Sequence, residues 1–226
     1  MSDLIDTTEM YLRTVYELEE EGVPPLRARI AERLAQSGPT VSQTVQRMER
    51  DGLLRVGEDR TIQLTDVGRA KATSVMRKHR LAEVLLTQVL GLPLELVHEE
   101  ACRWEHVISD TVEERIEAIL DSPTRSPYGN PIPASGTLGP SGPMVDGVCS
   151  LAMALDGNGP ASVVVERLTE VIQADPELIA LLQDAGVQPG NTVTAELTGD
   201  RLQLAGAGGV PHTVEADVAH HLFVRN

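Results

Sequence analysis

Aromatic side chains are nearly absent: Tyr11, Tyr16, Trp104, Tyr128 and Phe223 are the five among 226 residues. The core must therefore be aliphatic, and readers of single-stranded nucleic acid, which stack bases on aromatic platforms, are disfavoured. Cysteine is scarcer still. Cys102 and Cys149 form no CxxC, so a disulfide framework has no basis and a reduced thiol is free for metal or redox chemistry. No uncharged apolar run approaches the length of a bilayer span, and the opening MSDLIDTTEM is acidic where a secretory signal is basic. A soluble, cytoplasmic protein with no membrane partner is expected. With 41% apolar and 23% charged residues the chain reads as globular, of a size for one large domain or two to three small ones.

A net charge of −15 argues at first against nucleic-acid partners, because phosphate would be repelled. The average hides a division. Residues 22–80 hold twelve Lys or Arg against six acids, whereas residues 81–226 hold six Arg against twenty-one acids. The basic stretch is the place to look for a nucleic-acid surface.

That stretch reads as helices followed by a hairpin. Tyr11, Val15 and Leu18 recur at helical spacing and predict a first helix ending near Gly22; a second covers roughly LRARIAERLAQ; a third covers PTVSQTVQRMERDG, with Pro39 in its first turn and Gly52 as its stop. At about 100° per residue, Val41, Val45 and Met48 share one face of the third helix, and Thr40, Gln43, Arg47 and Arg50 the opposite one. LLRV, the turn GEDR and TIQLT then predict a hairpin. Helix, turn, helix and hairpin in this order make a winged helix-turn-helix. Such geometry also occurs in protein-interaction domains, and Arg-rich faces are often merely solvated. Here Gln can bond base edges, Ser, Thr or Pro can touch thymine methyls, and Arg47, Arg50 and the hairpin's Arg60 can hold phosphate.

Further helices are expected from about Asp66 to Leu90 and from about Glu95 to Leu120. Residues 121–160 hold seven Pro and seven Gly and predict a long connection with no packed element. Beyond it SVVVERLTEVI, NTVTAEL, DRLQLAG and HTVEA read as β-type runs around one helix, PELIALLQDAG. The fold class expected is mainly α with a small β component.

His79 and Glu83 stand four apart on one predicted helix and so share a face. On the next, His98, Cys102, Glu105 and His106 project within a sector of about 100°, separate from an apolar stripe of Val97, Ala101, Trp104 and Ile108. Imidazole, thiolate and carboxylate are the common transition-metal ligands. Any one of these residues alone reads as a surface pair or core packing; six on adjacent helices point to metal, and six are too many for one site. Two neighbouring sites fit better. Met10 lies at the edge of the first helix's apolar stripe, and spacing alone makes it peripheral packing.

The strings DTTEMYLRTVYELEEEGVPPLRARIAERLAQSGPTVSQTVQRMERDGLL, VMRKHRLAE, HEEACRWEHVIS and SPYGNPIP resemble the diphtheria toxin repressor family of iron-dependent regulators. The resemblance is near-continuous over about residues 1–133, and RLTEVIQAD is its best anchor beyond. It implies a winged-helix DNA-binding domain (1–73), a helical dimerisation and metal-binding domain (74–140), a flexible Pro/Gly-rich linker (141–160) and an SH3-like domain (161–226). It also implies a regulatory metal site of Met10, Cys102, Glu105 and His106, and an ancillary site of His79, Glu83 and His98 completed by Glu170 and Gln173. An anion would sit with Arg80, Ser126 and Asn130. DNA contacts would fall to Ser37, Pro39, Thr40, Ser42 and Gln43, with Arg27, Arg47, Arg50 and Arg60 toward phosphates. The implied function is repression of iron-homeostasis genes by a homodimer, or two dimers, on palindromic double-stranded operator DNA with two Fe2+ per subunit. Co2+, Ni2+, Mn2+ or Zn2+ could substitute in vitro.

Two other classes fit the sequence less well. A metallohydrolase lacks HExxH and a nucleophile-base pair, and leaves the basic head unexplained. A metal-independent winged-helix repressor would bind DNA equally with chelator and with ferrous iron.

Overall fold

The computed structural model describes residues 6–139, 147–155 and 159–225, which fall into two compact units. One takes residues up to Ala82 together with 101–122 and the stretch from Ile132; the other takes 83–100, 123–131 and the described residues from Gly147 onward.

In the first unit α1 (Thr7–Glu20) starts where the Asp6 side chain accepts the Thr8 N–H at 2.8 Å, capping an otherwise unpaired donor. α2 (Arg27–Arg33) is shorter than the expected run, ending before Ala35 takes a positive φ of 49°. α3 (Gly38–Arg50) is capped by Ser37 and carries Pro39 in its first turn. β1 (Leu54–Val56) and β2 (Ile62–Leu64) pair antiparallel, Leu54 opposite Leu64. Tyr11, Leu12, Val15, Tyr16 and Leu18 of α1 join Ile30, Val41, Val45, Met48, Leu54 and Ile62 in one buried cluster. The side of α3 bearing Val41, Val45 and Met48 is thus fully covered. α4 (Asp66–Gln88) follows β2, and Gly68 lets its first turn lie against the hairpin: a Cβ there would fall 1.8 Å from the Leu53 carbonyl oxygen.

The single helix expected from about Glu95 to Leu120 is instead two, α5 (Leu94–Trp104) and α6 (Asp110–Ile119). Ser109 caps α6 by accepting the Val112 N–H, and Asp110 and Glu113 put negative charge in the first turn, where the helix dipole favours it. Glu105 and His106 consequently lie in the turn after α5. α6 is held to α4 by Arg77 Nε on Glu113 at 2.6 Å and Lys78 Nζ on Asp110 at 2.8 Å.

The second unit is built on β3 (Cys149–Ser150), β4 (Ala161–Leu168), β5 (Thr192–Thr198), β6 (Arg201–Gly206), β7 (His212–Glu215) and β8 (Leu222–Arg225), in the order β3-β8-β4-β5-β6-β7 with every pair antiparallel. α9 (Pro176–Asp184) is its longest added helix, beside the short α7 (Leu151–Ala154), α8 (Glu170–Gln173) and α10 (Val218–His221). Two expectations need correction. The run SVVVERLTEVI is not one strand: β4 ends at Leu168 and TEVIQ turns into α8. The connection is not wholly unpacked either, since β3 pairs with β8 and Leu151 is fully buried. Residues 140–146 and 156–158 of that connection lie outside the described residues.

SPYGNPIP lies along the end of β4. Tyr128 O accepts the Leu168 N–H at 2.9 Å, and Asn130 Nδ2 donates to Leu168 O at 2.8 Å. Gly129, at φ 85°, makes the approach possible, because a Cβ there would lie 2.1 Å from the Glu166 carbonyl oxygen.

Candidate metal centre and nucleic-acid interface

The first cluster lies within the first unit, where α1 meets the end of α5 and the turn after it. Glu105 is its hub and is 2% exposed. Its Oε2 lies 2.6 Å from His79 Nδ1, its Oε1 lies 3.3 Å from His106 Nε2, and both oxygens accept from Arg13 Nη1 at 2.9 and 2.7 Å. The same Nη1 lies 3.2 Å from Cys102 Sγ. His106 Nδ1 meets Glu9 Oε2 at 2.6 Å, so its ring is oriented from α1 and its Nε2 is turned toward Glu105. Met10, between Glu9 and Tyr11, is half-buried on that helix.

Burial pushes the Glu105 carboxyl toward neutrality, but the Arg13 charge and the His79 hydrogen bond outweigh it and hold the pKa down at about 2. Arg13 is pulled the other way: burial works against its charge, yet Cys102, Glu105 and Glu17 together raise its pKa well above the ordinary value. A half-buried soft thiol and a buried, ionised carboxylate thus flank the Arg13 guanidinium, with the His79 imidazole on the same carboxylate. That donor chemistry fits a divalent transition metal.

Sequence reasoning missed Glu9 and Arg13. The signal was available, since Arg13 stands three residues after Met10 and so shares its side of α1, but arginine offers no metal-binding atom.

The second cluster lies in the other unit. His98 Nδ1 is 3.0 Å from Gln173 Oε1 and 3.7 Å from Glu83 Oε1. Gln173 Nε2 donates to Leu168 O at 2.8 Å, which fixes the amide orientation with its oxygen toward the imidazole. Glu170, 5% exposed, stands three residues earlier on α8, one turn from Gln173. His79 is one helical turn before Glu83 on α4, and its Nδ1 is engaged with Glu105. Glu83, His98 and Gln173 are therefore brought together.

The residues implied for an anion are each engaged within their own unit. Arg80 forms a fully buried fork with Glu20, at 3.0 Å and 2.6 Å. The Ser126 N–H donates to Asn130 O at 2.8 Å, and Arg167 Nη1 donates to Asn130 Oδ1 at 3.3 Å.

On the basic head, Ser37, Pro39, Thr40, Gln43, Arg47 and Arg50 are exposed, whereas Ser42 and Arg27 are half-buried. The Ser37 hydroxyl is 2.8 Å from that of Thr40, so Ser37 serves the helix cap. Arg60 is exposed in the hairpin turn at φ 68°. A helix with one buried apolar side and one polar, cationic side, followed by a two-stranded wing, is what a major-groove reader requires.

Fold and site together define a metal-responsive DNA-binding protein of winged-helix type. The family models described as "Iron dependent repressor, N-terminal DNA binding domain" and "Iron dependent repressor, metal binding and dimerisation domain" match residues 3–62 and 65–134. Among curated proteins, the chain is 57% identical to the iron-dependent repressor IdeR of Mycobacterium tuberculosis, over 99% of each chain. It is 53% identical to the diphtheria toxin repressor of Corynebacterium glutamicum, over 99% of this chain and 98% of that one. Solved structures that resemble it include ScaR with bound Zn2+, at TM-score 0.78 and 27% identity over 98% and 100% of the two chains. Another is a manganese-dependent transcriptional repressor in complex with manganese, at TM-score 0.76 and 26% identity over 96% and 99%. The chain belongs to the iron-dependent repressor family, and the likeness continues past residue 133 through the C-terminal sheet.

Proposed function

We propose that this protein represses transcription as a homodimer on palindromic operator DNA in the cytoplasm when two ferrous ions are bound per subunit. Residues 1–73 would form the DNA-binding domain, 74–140 the dimerisation and metal-binding domain, and 161–226 the SH3-like domain after a linker at 141–160. Met10, Cys102, Glu105 and His106 hold the regulatory ion; His79, Glu83, His98, Glu170 and Gln173 hold the ancillary one. The observation that carries the reading is the cluster built on the buried Glu105, whose carboxylate meets His106 directly and Cys102 through Arg13, against the helix that bears Met10.

Bound iron supplies a divalent charge and coordination bonds that neutralise Cys102 and Glu105. The chain's own residues turn that event into a DNA response. Glu9 orients the His106 ring from α1, and Met10 on the same helix offers a thioether, so residues that would hold the ion come both from α1 and from the turn after α5. α1 in turn packs through Tyr11, Leu12 and Val15 in the core that holds Val41, Val45 and Met48 of α3. A change in the setting of α1 is therefore passed to the recognition helix by close packing, which shifts the population of DNA-competent dimers. Thr40 and Gln43 would read bases, with Pro39, Ser37 and Ser42 beside them, while Arg27, Arg47, Arg50 and Arg60 hold the backbone. An anion would be held by Arg80, Ser126 and Asn130.

The soft sulfur donors Met10 and Cys102 suit ferrous iron better than the harder manganous ion, although intrinsic affinity alone does not select iron. The test is operator affinity titrated against ferrous, manganous and zinc ions at fixed salt, with a chelator arm. Ferrous-dependent binding is expected. Equal affinity with chelator and with iron would overturn the reading.

A further inference from the structure

The charge that already sits among the regulatory donors belongs to the protein. Arg13 Nη1 lies 3.2 Å from Cys102 Sγ and 2.9 and 2.7 Å from the two Glu105 oxygens, with the residue 9% exposed. Its other end is held independently, Nε donating to Glu17 Oε1 at 2.6 Å one turn along α1. Arg33 reaches the same Glu17 carboxylate at 3.8 Å. Arg13 also stands three residues after Met10, on the same side of α1.

A guanidinium and a dication cannot both hold Cys102 and Glu105. At separations of a few ångströms in a site shielded from water, like charges repel strongly, and the carboxylate lone pairs that accept from Nη1 are those a metal would use. We propose that Arg13 is the resident cation of the regulatory site: it occupies Cys102 and Glu105 in the metal-free protein, must let go of them for the ion to bind, and so sets the metal concentration at which the sensor responds. Glu17 is the partner that keeps the displaced guanidinium neutralised. The exchange is non-covalent: Arg13 withdraws to Glu17, the incoming dication takes Cys102 and Glu105, and the Cys102 thiol gives up its proton to solvent as it ligates. Without Arg13 the metal-free site would hold Cys102, Glu105 and Glu17 with one positive charge fewer, and an incoming cation would find them more attractive. With Arg13 but without Glu17, the guanidinium has less to gain by moving away. Arg13 is in this sense an affinity-setting residue and not a ligand.

The inference rests on the regulatory-site assignment, and the experiment separates the two. The full-length protein is titrated with Co2+, and binding is followed by the thiolate-to-cobalt charge-transfer absorption, which reports Cys102 ligation without any DNA. The wild type is expected to show the band and Cys102→Ala to lose it; no band in the wild type would overturn the site assignment and the inference with it. Given the band, Arg13→Gln is expected to tighten apparent Co2+ affinity about tenfold and Glu17→Gln to weaken it, opposite signs that loss of structure alone does not produce. The double variant should follow Arg13→Gln. Equal or weaker binding by an Arg13→Gln protein with wild-type circular dichroism would overturn the inference and leave the site assignment standing. Should Arg13→Gln fail to fold, Glu17→Gln decides: unchanged or tighter binding overturns it.

Discussion

Glu9 and His106, 97 residues apart, meet at 2.6 Å between a carboxylate oxygen and Nδ1. With the carboxylate accepting, Nδ1 donates, and Nε2, 3.3 Å from Glu105, is the nitrogen left for the proposed metal. Such outer partners raise ligand basicity and fix ring orientation. Glu9→Gln should therefore weaken metal binding by roughly 10- to 100-fold with the fold intact, read by competition against a chromogenic chelator.

The two clusters should respond differently to truncation. Met10→Ala and Cys102→Ala remove the two sulfur donors of the proposed regulatory site and should abolish metal-dependent operator binding in gel shifts. Glu170→Ala should only weaken it, since His79, Glu83, His98 and Gln173 remain.

Arg80 and Glu20 form a fork in which both side chains are fully buried. Removing one partner leaves a charge where water cannot reach it. Glu20→Ala should cost about 3 to 5 kcal/mol, measured by urea unfolding of the metal-free protein.

Acid should act on Glu105. Its pKa is held at about 2 in the folded protein, below its ordinary value of 4.5, because Arg13 and His79 outweigh the burial that opposes ionisation. A depressed pKa stabilises the fold fully above the ordinary value and progressively less as pH falls from there toward the folded one. The metal-free protein should therefore lose stability between about pH 4.5 and 2, and Glu105→Gln should flatten that slope in a denaturation series across this range.

Arg47 and Gln43 should separate affinity from specificity. Arg47→Ala should weaken binding to all duplexes alike and lower the salt slope of log K by about one, as for a lost phosphate contact. Gln43→Ala should relax base preference by about 1 to 3 kcal/mol at one position. Fluorescence anisotropy on operator and mutated duplexes at several salt concentrations reads both.

Much of the architecture was legible locally. Val41, Val45 and Met48 were assigned to the buried side of α3 from spacing alone, and all three are fully buried. The hairpin and the division of charge followed from short runs and counts. What misled was continuity: an apolar stripe at helical spacing carried the expected helix through residues 105–109, where the Ser109 cap starts a new one. β-branched residues likewise extended a strand past Leu168 into α8.

The sequence by itself determined which donor types exist, that they cluster between residues 79 and 106, and which side of each helix packs, because these depend on periodicity over one or two turns. Only the tertiary structure decided that Arg13 lies against Cys102 and Glu105, that Glu9 meets His106, and that Gln173 lies against His98. Those pairings join residues tens of positions apart, and no local propensity encodes them. They are settled by which helices the core draws together and by the requirement that every charge buried there finds a partner of opposite sign.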